Sequence, residues 1–276
     1  MIGRIAALGA AELRIALRNR WVLTAVAMMT AFGLVLALAG SAPGGTVAAD
    51  RLTVTVASLA TLSVYLVPLV ALLLSYDAIA GESERGTLPL LLTYPVSRGE
   101  ILAGKFLAQV LVIAFAILVG FGATAAAVWA AGGASAEGVR ALIRLYASAV
   151  LLGATFIAAG FCLSALSRQA AAAASVAVAL WIVAVVLFDV ALLGGLVIDD
   201  GGFFTQNIFP VLLVAGPTDA FRLFNLAALD AGLEGEGLAA AGAALAMPAW
   251  APALSMTLWP VLLAGLAYLC FSRSEA

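Results

Sequence analysis

Charged and hydroxyl side chains are concentrated in one stretch of this sequence, YDAIAGESERGTLPLLLTYPVSRGEILAGKF, residues 76–106. Seven of the chain's 28 charged residues (13 basic plus 15 acidic) lie there: Asp77, Glu82, Glu84, Arg85, Arg98, Glu100 and Lys105. A short stretch of this kind suits docking on another protein through ion pairs. It does not suit catalysis, because the chain has no histidine and offers neither a nucleophile with its base nor a cluster of metal ligands. The sequence therefore predicts no catalytic residue, no metal site and no cofactor in this chain.

One segment of this stretch matches the letters of a nucleotide-binding loop. Gly99–Lys105 reads G-x-x-x-x-G-K, but Phe106 follows instead of the serine or threonine that would hold Mg²⁺, and no strand precedes the segment. A capping box at Ser97–Glu100 places these residues in a helix, where the backbone amides are already hydrogen-bonded. We expect no ATP binding by this route.

The composition places the chain in a membrane. Hydrophobic residues make up 65% of its 276 residues and charged residues 10%, and the mean hydropathy is +1.17. Soluble domains average about 45–50% apolar residues and about 25% charged residues. The net charge is −2 and no run of lysines and arginines could follow a phosphate backbone, so nucleic acid is not an expected partner. Cys162 and Cys270 each stand alone in an apolar run, which favours free thiols. We predict an all-α integral membrane protein surrounded by the lipid bilayer.

Six apolar windows are long enough to cross a bilayer, which takes about 20 residues. They are approximately Trp21–Ala39, Leu52–Tyr76, Phe106–Ala131, Ala141–Leu166, Ala170–Ile198 and Leu254–Phe271. The fourth and fifth windows are separated only by residues 167–169, so they must form a tight helical hairpin. With the N-terminus in the cytoplasm, nine of the 13 lysines and arginines fall inside and four outside. The positive-inside rule therefore places both termini in the cytoplasm, and residues 1–276 form one transmembrane domain.

Residues 1–20, before the first window, are basic and amphipathic. On a helical wheel Arg4, Arg14 and Arg18 fall within one narrow sector, and isoleucine and leucine side chains occupy much of the rest. This pattern predicts a helix that lies in the membrane interface. The alternative is a basic flank that only precedes the first span.

Residues 77–105 form the largest predicted cytoplasmic loop, and their sequence predicts ordered structure. Thr87 can cap a short helix that has Pro89 in its first turn, and Pro95 ends that helix. Ser97 and Glu100 form a capping box, so a second helix begins at about residue 98 and continues into the third span. Residues 167–169 are the second cytoplasmic turn.

Residues 199–250 form a long segment on the predicted outer side. Ile208–Gly216 is apolar but too short to span, which indicates a re-entrant or interfacial piece. Thr218 and Asp219 can begin a helix. Asp219 and Arg222 either pair with each other at i,i+3 or contact a partner, and the sequence leaves both alternatives open.

Asp189 is the only acidic residue well inside an apolar window. Carboxylates within the membrane are costly and often functional, but this one has no obvious partner in the sequence. It could cap a helix or face a polar dimer interface. The alternative is an ATP-independent carrier that uses Asp189 for transport.

The cytoplasmic loop resembles the region after the second span of ABC-2-type transporter permeases. Their pattern is E-x-E-[RK]-G-T, then leucines, P-[VI]-S-R and G-K, and it is matched here by Glu82, Glu84, Arg85, Gly86, Thr87, Pro95, Ser97, Arg98, Gly104 and Lys105. The resemblance extends over essentially the whole chain, including the turn in LSALSRQAAAAAS. It implies six transmembrane helices in the type V exporter-like architecture of ABC-2 permeases.

This resemblance also implies partners for the chain. They are a second copy of the chain and a cytoplasmic P-loop ATPase dimer, which binds the ATP and Mg²⁺. The residues implied to couple to the ATPase are Glu82, Glu84, Arg85, Gly86, Thr87, Ser97, Arg98, Ser167, Arg168 and Gln169.

A second resemblance lies in the outer segment. GPTDAFRLFNL, residues 216–226, is similar to the N-P-x-D-x-F-R-x-x-N-L element of permeases that serve nitrous oxide reductase maturation, with Gly216 in place of the asparagine. It implies a multi-pass protein of the bacterial inner membrane and a periplasmic β-helical protein as a further partner. The residues implied to bind that partner are Pro217, Asp219, Phe221, Arg222 and Asn225.

The implied function is to couple ATP hydrolysis to one of two processes, or to both. One is the export of a sulfur species; the other is the action of a periplasmic partner that assembles the copper–sulfide site of nitrous oxide reductase. The alternative is an ABC-2 permease that exports a lipid, a glycan or a drug.

Overall fold

The computed structural model describes residues 8–14, 20–39, 51–93, 96–133, 135–199, 201–226, 248 and 250–273. Within these ranges the chain is helical and contains no β-strand. The helices are α1 (residues 8–14), α2 (Arg20–Ala39), α3 (Arg51–Ser75), α4 (Ala80–Glu84), α5 (Thr87–Leu92), α6 (Arg98–Ala130), α7 (Ala136–Leu166), α8 (Ala170–Trp181), α9 (Phe188–Asp199), α10 (Phe209–Ala215), α11 (Pro217–Leu226) and α12 (Trp250–Arg273). Two π-helical segments, Ile182–Leu187 and Phe204–Ile208, join α8 to α9 and lead into α10.

Five helical stretches of the described chain are long and apolar enough to cross a membrane. They are Arg51–Glu84, Arg98–Ala130, Ala136–Leu166, Ala170–Asp199 and Trp250–Arg273, and they coincide with five of the six predicted windows. The remaining window lies on α2, whose apolar part Val22–Ala37 is shorter. A sixth span and the cytoplasmic placement of both termini therefore stay predictions.

Two predicted features fall partly outside the described residues. Of the predicted interfacial helix, residues 8–14 are helical, and 1–7 and 15–19 lie outside the description. Of the predicted outer segment 199–250, residues 200, 227–247 and 249 lie outside it as well. The two cysteines are free, as predicted, with Cys162 buried and Cys270 half-buried.

Helix α7 is the centre of the bundle and packs against α3, α6 and α12. In the 18-residue apolar stretch of α7 that would cross the membrane, 72% is buried inside the protein. Small residues allow this close approach: a Cβ on Gly153 would lie 2.9 Å from the Ile113 side chain of α6, and one on Gly160 would overlap Ser75 of α3. Helices α3, α6 and α7 thus form a tightly packed frame.

The helical stretch Ala170–Asp199 is much less buried than α7. Only 17% of its 18-residue apolar stretch lies inside the protein. Its exposed valines, leucines and isoleucines suit contact with lipid. In the π-helical segment at its centre the backbone hydrogen bonds reach five residues instead of four, a distortion that is frequent at functional sites. This helix therefore touches the rest of the protein at few points, and those points determine how it can move.

Candidate functional site

The described part of the predicted cytoplasmic loop, residues 77–93 and 96–105, contains the short-range capping that its sequence predicts. Ser97 Oγ accepts from the Glu100 N–H at 3.2 Å, and Glu100 Oε2 accepts from the Ser97 N–H at 2.9 Å. This confirms the predicted capping box, and α6 begins at Arg98. Helix α5 begins at Thr87, whose hydroxyl donates to the Glu82 carbonyl rather than capping the helix. The predicted helix end at Pro95 lies outside the described residues.

A glycine makes the turn between α4 and α5. Gly86 has φ of 68°, in the left-handed region that residues with a Cβ rarely adopt. Its N–H donates to the Ser83 carbonyl at 3.1 Å. The turn exposes the side chains on either side of it, including Arg85 and Thr87.

Lys105 of α6 connects this helix to α1 and α4 through two ion pairs. Its ammonium lies 2.5 Å from Glu12 Oε1 of α1 and 2.6 Å from Glu82 Oε1 of α4, and its side chain is almost fully buried on α6. A buried ammonium is stable only when it is paired. Glu82, which the sequence predicts to face the ATPase, instead forms an ion pair within the protein.

The two predicted cytoplasmic elements are in direct contact. The hydroxyl of the buried Ser164, near the end of α7, accepts from the N–H groups of Ile79 and Ala80, each at 2.9 Å. Glu84 Oε2 accepts from the N–H of Ala170 at 2.9 Å, which satisfies a free amide at the start of α8. The turn at residues 167–169 and helix α4 are therefore joined, and we name the surface that they share, after its predicted role, the inner coupling surface (residues 77–90 and 166–169).

Arg98 also forms contacts within the protein, at the end of α12. Its guanidinium donates to the Phe271 carbonyl at 2.7 Å and lies 5.5 Å from the centre of the Phe271 ring. A cation at the C-terminal end of a helix satisfies carbonyls that lack partners there. Arg98 thus attaches the start of α6 to the end of α12.

The residues predicted to couple to an ATPase separate into exposed and internal groups. Six on the inner coupling surface are exposed: Glu84, Arg85, Gly86, Thr87, Arg168 and Gln169. Ser97 is exposed beside that surface, and Glu82, Arg98 and Ser167 are half-buried. Two leucines that the prediction left out, Leu90 and Leu166, are also largely exposed there. This part of the chain therefore exposes two leucines together with charged groups of both signs.

A second polar site lies where α9 meets α11. Arg222 Nη2 is 2.6 Å from Asp189 Oδ2, and Arg222 Nη1 is 2.6 Å from Asp219 Oδ1. All three side chains are buried or nearly so. We call these three residues the outer ionic cluster. It supplies the partner for Asp189 that was not visible in the sequence, and it shows the pairing of Asp219 with Arg222, one of the two alternatives that the sequence left open.

The α10–α11 hairpin holds two members of the cluster in place. The Trp259 indole N–H donates to the Ala215 carbonyl at 2.7 Å, which fixes the turn of the hairpin to α12. Asn225 Nδ2 donates to Ser148 Oγ of α7 at 2.9 Å. A Cβ on Gly216, at that turn, would lie 3.0 Å from Asp219 Oδ2 and 3.1 Å from the Phe188 ring. The glycine therefore allows the hairpin to approach α9 closely.

The electrostatics of the cluster reflect its burial. Loss of water raises the pKa of Asp219 to about 7, with Arg222 acting in the opposite direction and Asp189 in the same direction. Asp189 Oδ1 and Asp219 Oδ2 have no hydrogen-bond partner among the described residues. Arg222 thus holds the cluster together, but one oxygen of each carboxylate lacks a hydrogen bond among the described residues.

The residues predicted to bind a periplasmic partner lie mostly inside the protein. Asp219, Phe221, Arg222 and Asn225 are buried, and Pro217 is half-buried. They anchor the hairpin in this structure, so direct contact with a partner would require the hairpin to move. Their role in partner binding stays a prediction.

Comparison with known proteins identifies relatives over nearly the full length. The family model described as "ABC-2 family transporter protein" matches residues 6–276. A "Probable ABC transporter permease protein NosY" of Stutzerimonas stutzeri is 40% identical over 268 residues, which cover 95% of each chain. A protein of the same name from Pseudomonas aeruginosa is 41% identical over 268 residues, again 95% of each chain.

Proposed function

The chain belongs to the ABC-2 family of transporter permeases, as its cytoplasmic loop predicted, and on this premise we propose that the inner coupling surface receives the motion of a separate ATPase. One observation carries the proposal: Glu84 accepts a hydrogen bond from Ala170, so the coupling loop and the start of α8 are joined. A partner that displaces one displaces the other. The exposed leucines and charges of this surface supply the apolar and polar groups that a docking site needs.

The proposed assembly contains two copies of this chain and a cytoplasmic P-loop ATPase dimer, in the bacterial inner membrane. ATP and Mg²⁺ bind to the ATPase. The permease contributes shape and motion, since the catalytic groups belong to its partner. The carrier alternative uses Asp189 for transport and predicts that Asp189→Asn abolishes it; in the structure Asp189 is bonded to Arg222.

We further propose that the transporter serves nitrous oxide reductase maturation, by export of a sulfur species or by acting on a periplasmic β-helical partner that assembles the copper–sulfide site. Residues 216–226 support this proposal through their resemblance to such permeases. So do the two similar proteins, which carry the name NosY. Pro217, Asp219, Phe221, Arg222 and Asn225 would act here by setting the position of the hairpin.

Purification of the tagged protein from its own host in mild detergent, with mass spectrometry of the proteins retained, tests this proposal. Recovery of a P-loop ATPase together with a periplasmic β-helical protein is the expected result. Recovery of the ATPase alone would support a permease that exports another cargo, such as a lipid, a glycan or a drug. Recovery of neither, from a preparation in which the permease stays folded, would contradict the coupling role.

A further inference from the structure

The outer ionic cluster contains one carboxylate more than it has guanidinium groups to pair. Asp189 and Asp219 share the single cation Arg222. If all three side chains were ionised, two negative charges and one positive charge would leave a net charge of −1. An uncompensated charge in a buried site is costly, and proteins avoid it by pairing or by protonation.

No second cation faces the cluster from the helices that surround it in the described structure. Helix α11 packs against α3, α7, α10 and α12. Helix α3 brings Tyr65, the one further ionisable group that acts on Arg222. Helix α7 brings the neutral Ser148, α12 brings the Trp259 indole, and α10 is entirely apolar. Within the described residues, no other side chain supplies the missing positive charge.

Each carboxylate has one oxygen available to receive that charge. Arg222 occupies Asp189 Oδ2 and Asp219 Oδ1, which leaves Asp189 Oδ1 and Asp219 Oδ2 buried and without a partner. Asp219 is the more deeply buried of the two, since its side chain is 0% exposed against 13% for Asp189. A proton is the smallest cation that neutralises a carboxylate without new ligands, and Asp219 gains most from neutralisation.

We propose that the outer ionic cluster binds one proton, held on the Asp219 carboxyl, and that the neutral cluster is the form in which the hairpin is docked on α9. Release of the proton converts the carboxyl to a carboxylate and delivers the proton to water on the outer side. Lifting of the hairpin from α9 exposes Asp219 to water and returns its pKa to the ordinary range, so lifting and proton release occur together. By linkage, alkaline conditions favour the lifted hairpin.

Infrared spectroscopy of the purified full chain in lipid nanodiscs tests the proposal directly, because a neutral carboxyl has a carbonyl stretch that a carboxylate lacks. We expect such a band below about pH 7 and its loss above, following the pKa of Asp219. Asp219→Asn should delete the band. Asp189→Asn should move the loss of the band to lower pH, because one carboxylate then matches one guanidinium while Asp219 stays buried. Glu137→Gln, at an exposed carboxylate of α7, is the control and should leave the band unchanged.

Either of two results would overturn the proposal. One is an intact protein without a pH-dependent band, or with a band that survives Asp219→Asn. The other is a band that persists unchanged in Asp189→Asn, since charge balance would then not be its cause.

Thermal stability gives a second, independent readout of the same proton. The folded state binds it between the ordinary aspartate pKa of about 3.9 and about 7, where the unfolded chain does not. Stability should therefore fall as pH rises across that interval and level off above it. In Asp219→Asn this fall should disappear, and if the fall persists there unchanged, the proton is bound elsewhere.

Discussion

Arg85 and Asp77 at the inner coupling surface are 57% and 40% exposed, whereas Arg222 and Asp219 in the outer ionic cluster are 11% and 0% exposed. Both are aspartate–arginine pairs, but the first, at 3.3 Å, is in water and the second, at 2.6 Å, is inside the protein. An exposed pair contributes about 0–1 kcal/mol to stability, while breaking a buried pair costs several times more. The inner charges are therefore available to a partner, and the outer charges hold the hairpin to its span.

The largest effect on stability should follow from removing the cation of the outer cluster. Arg222→Gln leaves two carboxylates buried together, and we expect it to lower the free energy of unfolding by about 3–5 kcal/mol. Thermal unfolding in detergent measures the loss. Arg140→Gln removes an exposed arginine of α7 and serves as the control, with a change within about 0.5 kcal/mol. Equal stability of the two variants would remove the distinction between the regions.

A loss of comparable size should follow at the inner side when the buried anchor of α4 is removed. Ser164→Ala takes the acceptor from two buried amides, those of Ile79 and Ala80, and each amide left unsatisfied costs about 1–3 kcal/mol. Limited proteolysis of residues 77–97 should become faster. Ser175→Ala, which removes an exposed hydroxyl bonded only within α8, is the matched control. Protection equal to that of the control would show that Ser164 does not position the loop.

The loss of Glu84 should change geometry more than stability. Glu84→Ala removes a helix cap, which costs about 1 kcal/mol, and it frees the coupling loop from α8. Spin labels at the exposed positions 83 and 168, with Cys162 and Cys270 replaced by alanine, report the distance between the two elements. We expect one narrow distance distribution in the parent protein and a broad one after Glu84→Ala. An unchanged distribution would mean that other contacts join them.

The sequence predicted local features of the inner region well because their causes are local. The capping box joins residues three positions apart, and α6 begins where that box requires. Long-range ties were not predictable in the same way, since Glu84 meets Ala170 after 86 positions and Ser164 meets Ile79 after 85. Neither contact follows a spacing rule of a helix, and both depend on how the spans pack.

At the outer side the sequence identified the charged residues but not their full arrangement. The i,i+3 spacing made pairing of Asp219 with Arg222 one of two alternatives, and the structure shows that pairing. The bond from Arg222 to Asp189 joins residues 33 positions apart and depends on the hairpin folding back onto α9. A charge count could have suggested it, because a lone carboxylate in a span and a lone guanidinium in a nearby apolar segment each need a partner.

Charge reversal at Arg85 tests whether the inner coupling surface receives an ATPase. The Arg85 side chain is exposed. The free energy of unfolding of Arg85→Glu should therefore stay within about 0.5 kcal/mol of that of the parent protein. The measurement is the amount of ATPase that co-purifies with the tagged variant, together with the function of the transporter in cells. We expect an intact permease that has lost the ATPase or its coupling. Full retention of the ATPase with unchanged function would contradict it.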